Sequence, residues 1–330
     1  MTRLNLTLLG LLVLAIPLSL LAGRIWLDPF HPAQANAAVI LLELRLPRAL
    51  LAISLGAGLG AAGAAMQGYL RNPLADPGLF GIAPSAALGA VLSLFLGAAA
   101  WTLPAFALIG AGGAMALLGL LAGREADGAG GGGSVALFTL AGLMIASLAG
   151  ALMSLAISLA PTPFALSEIV TWLMGALTDR SWADLAVALP PTLLGLVVLR
   201  LAGPGLDALV IGEAAARSLG LDPRRLQLLL ILGVGLTVGA GVAVAGIIGF
   251  VGLVVPHLVR PFTDRRPSRL IVPSALGGAL LLLLADCLCR VLPLVTELRL
   301  GIALSLVGAP FFLALLLRLR RGSGPDAGWA

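Results

Sequence analysis

Side chains that could do chemistry are scarce in this chain of 330 residues, and their types exclude several reactions. All 20 basic residues are arginine, so there is neither a lysine for a phosphate-binding loop nor a lysine nucleophile. His31 and His257 have no carboxylate cluster beside them, and Cys287 and Cys289 form a C-x-C within an apolar run, where packing is the expected role. Any ATP hydrolysis must therefore take place on another polypeptide. We expect no cofactor, no metal site and no enzyme activity in this chain.

Apolar helices must position these few residues. Hydrophobic residues make up 60% of the chain and charged residues 11%, with a mean hydropathy of +1.09. Apolar runs of about 20 residues match the thickness of a bilayer core. This predicts an all-α polytopic membrane protein that forms a single domain over residues 1–330. The pI near 10.8 could suggest nucleic acid, but the arginines are dispersed between apolar runs, so we expect no nucleic-acid partner.

The distribution of arginine orients the predicted spans. Ten transmembrane helices are predicted, near 4–24, 49–69, 79–100, 102–122, 135–160, 183–201, 227–246, 248–259, 271–289 and 300–317. Fourteen arginines fall in segments assigned to the cytoplasmic side and six on the other side, so the positive-inside rule predicts two cytoplasmic termini. The first span could be a cleaved secretion signal, but we expect it to be retained, because its removal would put the termini on opposite faces.

A break is predicted in the apolar run from 226 to 259. Both flanks of this run are rich in arginine and therefore cytoplasmic, so the run must cross the membrane twice, yet its 34 residues are short for two full crossings. Gly246, Gly249, Gly252 and Pro256 are expected to interrupt the second helix, near 248–259, and His257 lies beside them. Lipid cannot satisfy the backbone groups of a broken helix, so protein should enclose this segment. These residues are candidates for the transport pathway, with packing or hydrogen bonding as the expected role of His257.

Two glycine-rich spans suggest an inverted repeat. The sequence GAGLGAAG at 56–63 resembles GAGVAVAG at 239–246, and the same offset of 183 carries Pro73 onto Pro256. The two copies would run in opposite directions, with halves of roughly 45–160 and 227–318. A chance match between sequences rich in glycine and alanine is the alternative. The G-x-G-x-x-G pattern at 58–63 lies inside a predicted span, so close helix packing explains it better than dinucleotide binding.

One compact charged passage, IGEAAARSLGLDPRRLQ at 211–227, stands out from the apolar sequence. Glu213 could pair with Arg217, Gly220 suits a left-handed helix stop, and Asp222 followed by Pro223 is typical of a helix start. This predicts two short helices joined by a tight turn in a cytoplasmic loop spanning 203–226. A solvated connector is the alternative, but caps on both helices favour a rigid surface knob that transmits force.

The chain resembles the permease subunit of ATP-driven importers for iron complexes and cobalamin. The likeness is carried by RLPRALLAISLGAGLGAAGAAMQGYLRNPLADPGLFGI from Arg45, GEAAARSLGLDPRR from Gly212, GIIGFVGLVVPHLVR from Gly246, and LLADCLCR through LVGAPFFLALLL near the end. It implies a homodimeric pore in the bacterial cytoplasmic (inner) membrane. It also implies a cytoplasmic ABC ATPase dimer and a periplasmic or lipid-anchored substrate-binding protein as partners. The ATPase coupling residues would be Gly212, Glu213, Ala216, Arg217, Leu219, Gly220, Asp222 and Pro223.

The resemblance further implies that Arg45, Arg48 and Arg290 dock acidic residues of the binding protein. Arginine suits this task because it pairs with carboxylates in a bidentate manner. For Arg290 an alternative is an ion pair with Asp286, four residues earlier on the same helix. Two departures from the family pattern are the sequence ELRLG at 297–301 and the glycine-rich loop at 123–134, whose contact with the ATPase is left open.

Two other classes of function are alternatives to an importer of an iron complex (siderophore or haem) or cobalamin. A proton-coupled secondary transporter of a hydrophobic solute needs titratable groups within the bilayer, and Asp286 is the candidate inside a predicted span. An intramembrane enzyme would need a catalytic cluster that neither histidine offers. The sequence does not distinguish siderophore, haem and cobalamin.

Overall fold

A computed structural model describes residues 3–23, 37–99, 101–125 and 134–322 of the chain. His31 and most of the glycine-rich loop lie outside these residues. The described part is all-helical. Its elements are α1 (Arg3–Leu21), α2 (Ala37–Val39), a π-helix (Ile40–Arg45), α3 (Leu46–Tyr69), a 3-10 helix (Pro77–Phe80), α4 (Ile82–Phe95), α5 (Thr102–Glu125), α6 (Ser134–Ser158), α7 (Pro163–Leu173), α8 (Trp182–Leu209), α9 (Glu213–Ser218), α10 (Pro223–Ala245), α11 (Val251–Val259), a 3-10 helix (Arg260–Phe262), α12 (Pro267–Val291) and α13 (Leu300–Gly322).

Each of the ten predicted spans coincides with one helix, which confirms the predicted fold class. Seven of the described helices are long and apolar enough to cross a membrane, and shorter apolar stretches are α4, α7, α11 and the Leu300–Leu315 part of α13. One helix was not predicted: α7 occupies residues that were assigned to a loop. It begins at Pro163, and the Thr162 hydroxyl caps it by accepting a hydrogen bond from the Ala165 N–H at 3.1 Å. Its 11 residues are too few to give the signal of a membrane span.

The predicted cytoplasmic loop at 203–226 is shorter in the structure. Helix α8 continues through Pro204 to Leu209, so the loop proper is 210–222 and contains only α9. The second predicted short helix is the first turn of α10, which begins at Pro223. We call residues 210–225 the elbow, and the end of the bundle where it lies the elbow end.

Helix α3 forms the centre of the bundle and packs against α8, α10, α11 and α12. Glycines on α3 make this packing possible: a Cβ atom at Gly56 or Gly60 would overlap the backbone of α12, and one at Gly63 would overlap the carbonyl of Gly252 on α11. Small residues allow helices in a membrane to approach this closely. The G-x-G-x-x-G pattern at 58–63 thus lies within a packed helix, and the inverted repeat stays a prediction.

Candidate coupling, docking and pathway sites

The broken segment lies at residues 246–250, between α10 and α11. Gly246 ends α10 with φ +71°. Protein encloses the segment on both sides: the Ala176 N–H donates to the Ala245 carbonyl at 2.8 Å, and the Gly301 N–H donates to the Gly175 carbonyl at 3.1 Å. The first bond satisfies the carbonyl just before the segment. A Cβ atom at Gly175 or Gly301 would overlap the Ile247 carbonyl, so the turn after α7 and the start of α13 pack directly on the segment and shield it from lipid.

Two residues predicted to interrupt this helix lie inside it instead. Gly252 and Pro256 belong to α11, and the interruption ends at Phe250, which has φ +68°. Pro256 has no N–H to donate to the Gly252 carbonyl one turn earlier. The buried Gln67 side chain supplies that donor, because its Nε2 lies 3.5 Å from the Gly252 oxygen and 3.2 Å from the Leu253 oxygen. This explains how α11 tolerates an internal proline.

Sequence reasoning missed Gln67, although a signal was present. A glutamine within a span of glycine, alanine and leucine must satisfy its amide inside the protein. Its Oε1 accepts a hydrogen bond from Arg260 Nη2 at 2.7 Å, so the side chain links α3 to both ends of α11. His257 lies beside this link, with its ring packed edge-on to Phe311 at 6.0 Å between centroids. The contact supports a packing role for His257.

The elbow is a rigid turn with both caps in place. Gly220 has φ +89°, the left-handed conformation that glycine adopts without strain. The Asp222 carboxylate accepts hydrogen bonds from the Arg224 N–H at 2.9 Å and the Arg225 N–H at 3.3 Å, at the start of α10. Ala216 is fully buried and anchors α9 to the bundle. The predicted helix stop and helix start are both present.

One predicted contact of the elbow is absent. Glu213 and Arg217, both described, form no ion pair in the structure, and Glu213 Oε2 is buried without a hydrogen-bond partner among the described residues. Gly212, at φ +99°, begins α9 and turns Glu213 against the bundle while Arg217 stays exposed. The capping residues, and not this pair, therefore hold the elbow.

The outer surface of the elbow combines apolar and basic groups. Val210, Ile211 and Leu219 are 59%, 57% and 73% exposed, and Arg224 and Arg225 are exposed beside them. A cleft of about 370 Å³ lies between the end of α8 and the start of α10, behind the Gly220 turn. Exposed apolar side chains next to charge are typical of a surface that another protein covers.

The predicted docking arginines lie at the opposite end of the bundle, where Arg48 and Arg290 meet around one buried carboxylate. Arg48 Nε donates to Asp286 Oδ1 at 3.0 Å, and Arg48 Nη2 donates to Glu297 Oε2 at 2.9 Å. Arg290 Nε lies 3.1 Å from Asp286 Oδ2. The exposed fractions of Asp286, Arg290 and Arg48 are 0%, 4% and 9%. Arg290 therefore forms the ion pair with Asp286 that was the alternative to a docking role.

Helix α1 closes this cluster from one side. Arg290 Nη2 donates to the Ser19 hydroxyl at 2.6 Å, and Arg45 Nη1 donates to the carbonyls of Leu20 and Leu21 at 2.8 Å each. Cations suit the carboxyl end of a helix, where carbonyls lack partners. We call Arg45, Arg48, Asp286, Arg290 and Glu297 the arginine cluster. Its three positive and two negative side chains leave one net positive charge.

Glu297 connects the arginine cluster to the loop before α13. Burial alone would raise the pKa of Glu297. The pKa is nevertheless below its ordinary value, because the hydrogen bond and the charge of Arg48 outweigh the effect of burial. The Thr178 hydroxyl, at 3.3 Å, and the charge of Arg290 lower it further. Glu297 therefore stays ionised near neutral pH. A cavity of about 300 Å³ opens beside it, lined by Arg45, Arg180 and other residues of this end.

Comparison with known proteins agrees with this arrangement. Residues 7–318 match the model of the FecCD transport family. The chain is 40% identical over 288 residues to the uncharacterized ABC transporter permease protein YvrB of Bacillus subtilis, covering 86% of this chain and 80% of that protein. It is 38% identical over 316 residues to the vitamin B12 import system permease protein BtuC of Vibrio cholerae, covering 94% and 92%.

Solved structures share the fold. A structure described as a metal-chelate type ABC transporter in an inward-facing conformation superposes with a TM-score of 0.86 at 32% identity, covering 96% of this chain and 99% of that chain. PsaBC from Streptococcus pneumoniae, 18% identical with a TM-score of 0.52, resembles this chain in fold alone. With a buried α3, a capped elbow and a family match over most of its length, the chain belongs to the FecCD transport family and is a permease subunit of a type II ABC importer of the FecCD/BtuC kind.

Proposed function

We propose that this permease moves an iron complex (siderophore or haem) or cobalamin across the bacterial cytoplasmic membrane. Its relatives include permeases named for vitamin B12 import and a metal-chelate type transporter, which supports both kinds of cargo. The excess of arginine at the elbow end supports a cytoplasmic elbow and two cytoplasmic termini. Two copies of the chain would form the pore, with the cargo passing between them.

The elbow is the observation that carries this proposal. Because the chain has no lysine for a phosphate-binding loop, force must enter from a separate ATPase dimer through a surface contact. Exposed Leu219 and Arg217 would contact the ATPase, while buried Ala216 and the capped turn at Gly220 and Asp222 keep the contact rigid. A movement imposed on the elbow passes directly into α10, since Pro223 is the first residue of that helix.

The 246–250 segment would lie on the path of this movement. It follows α10 directly, the Ala245 carbonyl before it accepts a hydrogen bond from the turn after α7, and Gly175 and Gly301 pack against the Ile247 carbonyl. Rotation of α10 would therefore shift the carbonyls near Gly246 and Gly249. We infer that this segment, with α11 behind it, lines or gates the cargo pathway.

A periplasmic or lipid-anchored binding protein would dock at the end that holds the arginine cluster. Arg45 lines the cavity there and is partly exposed, whereas Arg48 and Arg290 are buried. We infer that Arg45 offers its positive charge to the binding protein, and that Arg290 and Arg48 mainly hold α1 and the 292–299 loop in place. Docking then depends on the one net positive charge of the arginine cluster.

Transport by the reconstituted complex tests the proposed function. The chain and its ATPase are placed in proteoliposomes with the binding protein, and uptake of haem, a ferric siderophore and cobalamin is measured with and without ATP. We expect uptake of one of these cargoes that requires both ATP and the ATPase. Accumulation of cargo by the chain alone, without nucleotide, would contradict the proposal and favour a secondary transporter.

Docking has a separate test. Arg45→Gln keeps a donor for the α1 carbonyls but removes the charge, so capture of the loaded binding protein should weaken about fivefold at low salt while ATP hydrolysis is unchanged. Arg200→Gln, an exposed arginine on α8, is the matched control. Equal capture by both variants would remove Arg45 from the docking surface.

The proton-coupled alternative receives no support from the geometry. The Asp286 carboxylate is in contact with both Arg48 and Arg290, so the candidate group inside a span is engaged in a structural ion pair in this conformation.

A further inference from the structure

A cavity of about 620 Å³ lies at the elbow end of the bundle, where α3 and α11 end and α12 begins. Three arginines line it: Arg71, Arg260 and Arg265. Among the described lining residues none is acidic. The cavity therefore concentrates positive charge in a volume of the size that small ligands occupy.

Two carboxylates at this end of the bundle are engaged with other groups. Asp207 accepts hydrogen bonds from the backbone N–H of Ser268, at 2.8 Å, and from its hydroxyl. Asp264 lies beside Arg266, with 4.0 Å between Oδ2 and Nε. Neither carboxylate lines the cavity, so the charge of the three arginines is not balanced from within the wall.

Helix-end electrostatics explain only part of this cluster. Arg71 and Arg260 follow the carboxyl ends of α3 and α11, where a cation is favourable. Arg265 precedes the amino end of α12, where a cation is unfavourable. Arg71 and Arg265 also have φ of +48° and +61°, two of the four positive values at non-glycine residues in the described part of the chain. Backbone strain of this kind persists where the surroundings or a ligand require it.

Arg260 has hydrogen-bonding capacity left over. Its Nη2 donates to Gln67, but its Nε is buried and has no hydrogen-bond partner among the described residues. A buried charged donor without an acceptor is costly. Because Arg260 lines the cavity, an anion there would balance the charge of this guanidinium group. Through Gln67 the same arginine is linked to the Gly252 and Leu253 carbonyls of α11, so an occupant would also stabilise the first turn of α11.

We propose that this cavity binds a phosphate-bearing anion. Guanidinium groups pair with phosphate oxygens in a bidentate manner, and helix ends lie at the depth of lipid headgroups. Leu258 and Phe262, two residues on either side of Arg260, are 50% and 72% exposed and would contact acyl chains. The source is therefore the headgroup of an anionic phospholipid or a free phosphate. This inference does not depend on the cargo or on the ATPase.

Lipid titration of the purified full-length chain in detergent tests the proposal. Short-chain phosphatidylglycerol, phosphatidylcholine of the same length and inorganic phosphate are added separately. Bound molecules are counted by native mass spectrometry, and the unfolding midpoint is measured. We expect saturable binding of phosphatidylglycerol, weakened about tenfold or more in Arg71→Gln with Arg265→Gln, because each lost charged hydrogen bond contributes to affinity. Both side chains are exposed, so the fold should tolerate the change.

The matched control is Arg200→Gln with Arg269→Gln. These two arginines are exposed on α8 and α12 but do not line the cavity, and their loss should change binding less than about threefold. Displacement of the lipid by inorganic phosphate would identify a free phosphate as the occupant, and binding that phosphate does not displace would identify the headgroup. Should the glutamine variant not fold, Arg71→Lys with Arg265→Lys replaces it, because lysine keeps the charge but not the bidentate geometry.

Three results would overturn the proposal. The first is an equal loss of binding in the cavity variant and its control, and the second is the absence of saturable binding of phosphatidylglycerol and of phosphate. The third is an unchanged lipid affinity in the cavity variant together with weaker association of the ATPase, which would make this surface a protein contact.

Discussion

The two ends of the bundle use charge in opposite ways. In the arginine cluster, Arg48, Asp286 and Arg290 are almost fully buried and bonded to one another. At the elbow, Arg217, Arg224 and Arg225 are exposed, and the fold is held by backbone caps and one buried alanine. One end thus directs its side chains inward to fix three helices, while the other leaves them available to a partner.

This difference predicts different consequences of mutation. Changes in the arginine cluster should mainly affect stability, because they leave buried charges without partners. Changes in the elbow should mainly affect coupling and assembly, because few contacts within the chain are lost. The four experiments below test that division, beginning with the largest expected effect.

Removal of the central carboxylate should cause the largest loss of stability. Asp286→Ala leaves Arg290 buried without a carboxylate and leaves Arg48 with Glu297 alone, so we expect the free energy of unfolding to fall by about 3–5 kcal/mol. The measurement is the unfolding midpoint in detergent. Asp264→Ala, which removes an exposed carboxylate, is the control and should cost less than about 1 kcal/mol. Similar midpoints for the two variants would show that the arginine cluster is not a structural clamp.

Strain at the elbow should reduce coupling without unfolding the chain. Gly220→Val places a β-branched side chain at φ +89°, which costs about 1–2 kcal/mol and corresponds to a decrease of about 5- to 30-fold in the population of the rigid turn. We expect cargo moved per ATP to fall by a similar factor while hydrolysis continues. Gly150→Val is the control, because open space surrounds that glycine on α6. Normal coupling in Gly220→Val would contradict a rigid elbow.

An exposed apolar residue of the elbow should contribute to assembly. Leu219→Ser removes a side chain that is 73% exposed, so stability should hardly change while affinity for the ATPase falls about tenfold. Val295→Ser, 95% exposed at the opposite end, is the control. Co-purification of the ATPase over a range of concentrations measures the affinity. If both variants retain the ATPase equally, the contact lies elsewhere.

The smallest effect concerns pH. The pKa of Glu297 in the folded chain is below its ordinary value of 4.5, so its contribution to stability is complete above that value and is lost as the pH falls through the lower pKa. Glu297→Gln should therefore reduce stability by about 1 kcal/mol at neutral pH, with a smaller difference from the unmodified chain below pH 4.5. A difference that stays constant down to acidic pH would show that this carboxylate is not ionised by Arg48.

The sequence predicted the helices better than the contacts between them. Apolar runs and arginine positions located ten spans, and the cap residues Gly220 and Asp222 located the elbow, because these signals are local. The interruption, at 246–250, was predicted to extend a few residues too far along the chain, to Pro256. Helix α11 accommodates Pro256 because Gln67 supports it, and that contact joins distant segments of the sequence. The burial of Arg48 was not foreseen for the same reason: its partners Asp286 and Glu297 are more than 200 residues away.

The backbone hydrogen bonds around residues 246–250 have an evolutionary consequence. Main-chain groups of Ala176, Ala245, Gly175 and Gly301 form the walls around this segment, and Gly175 and Gly301 contact its Ile247 carbonyl. Because these contacts are made by the backbone, they do not require particular side chains at 247 and 248. Related permeases could then exchange those two residues to suit cargoes of different size without having to redesign the surrounding scaffold.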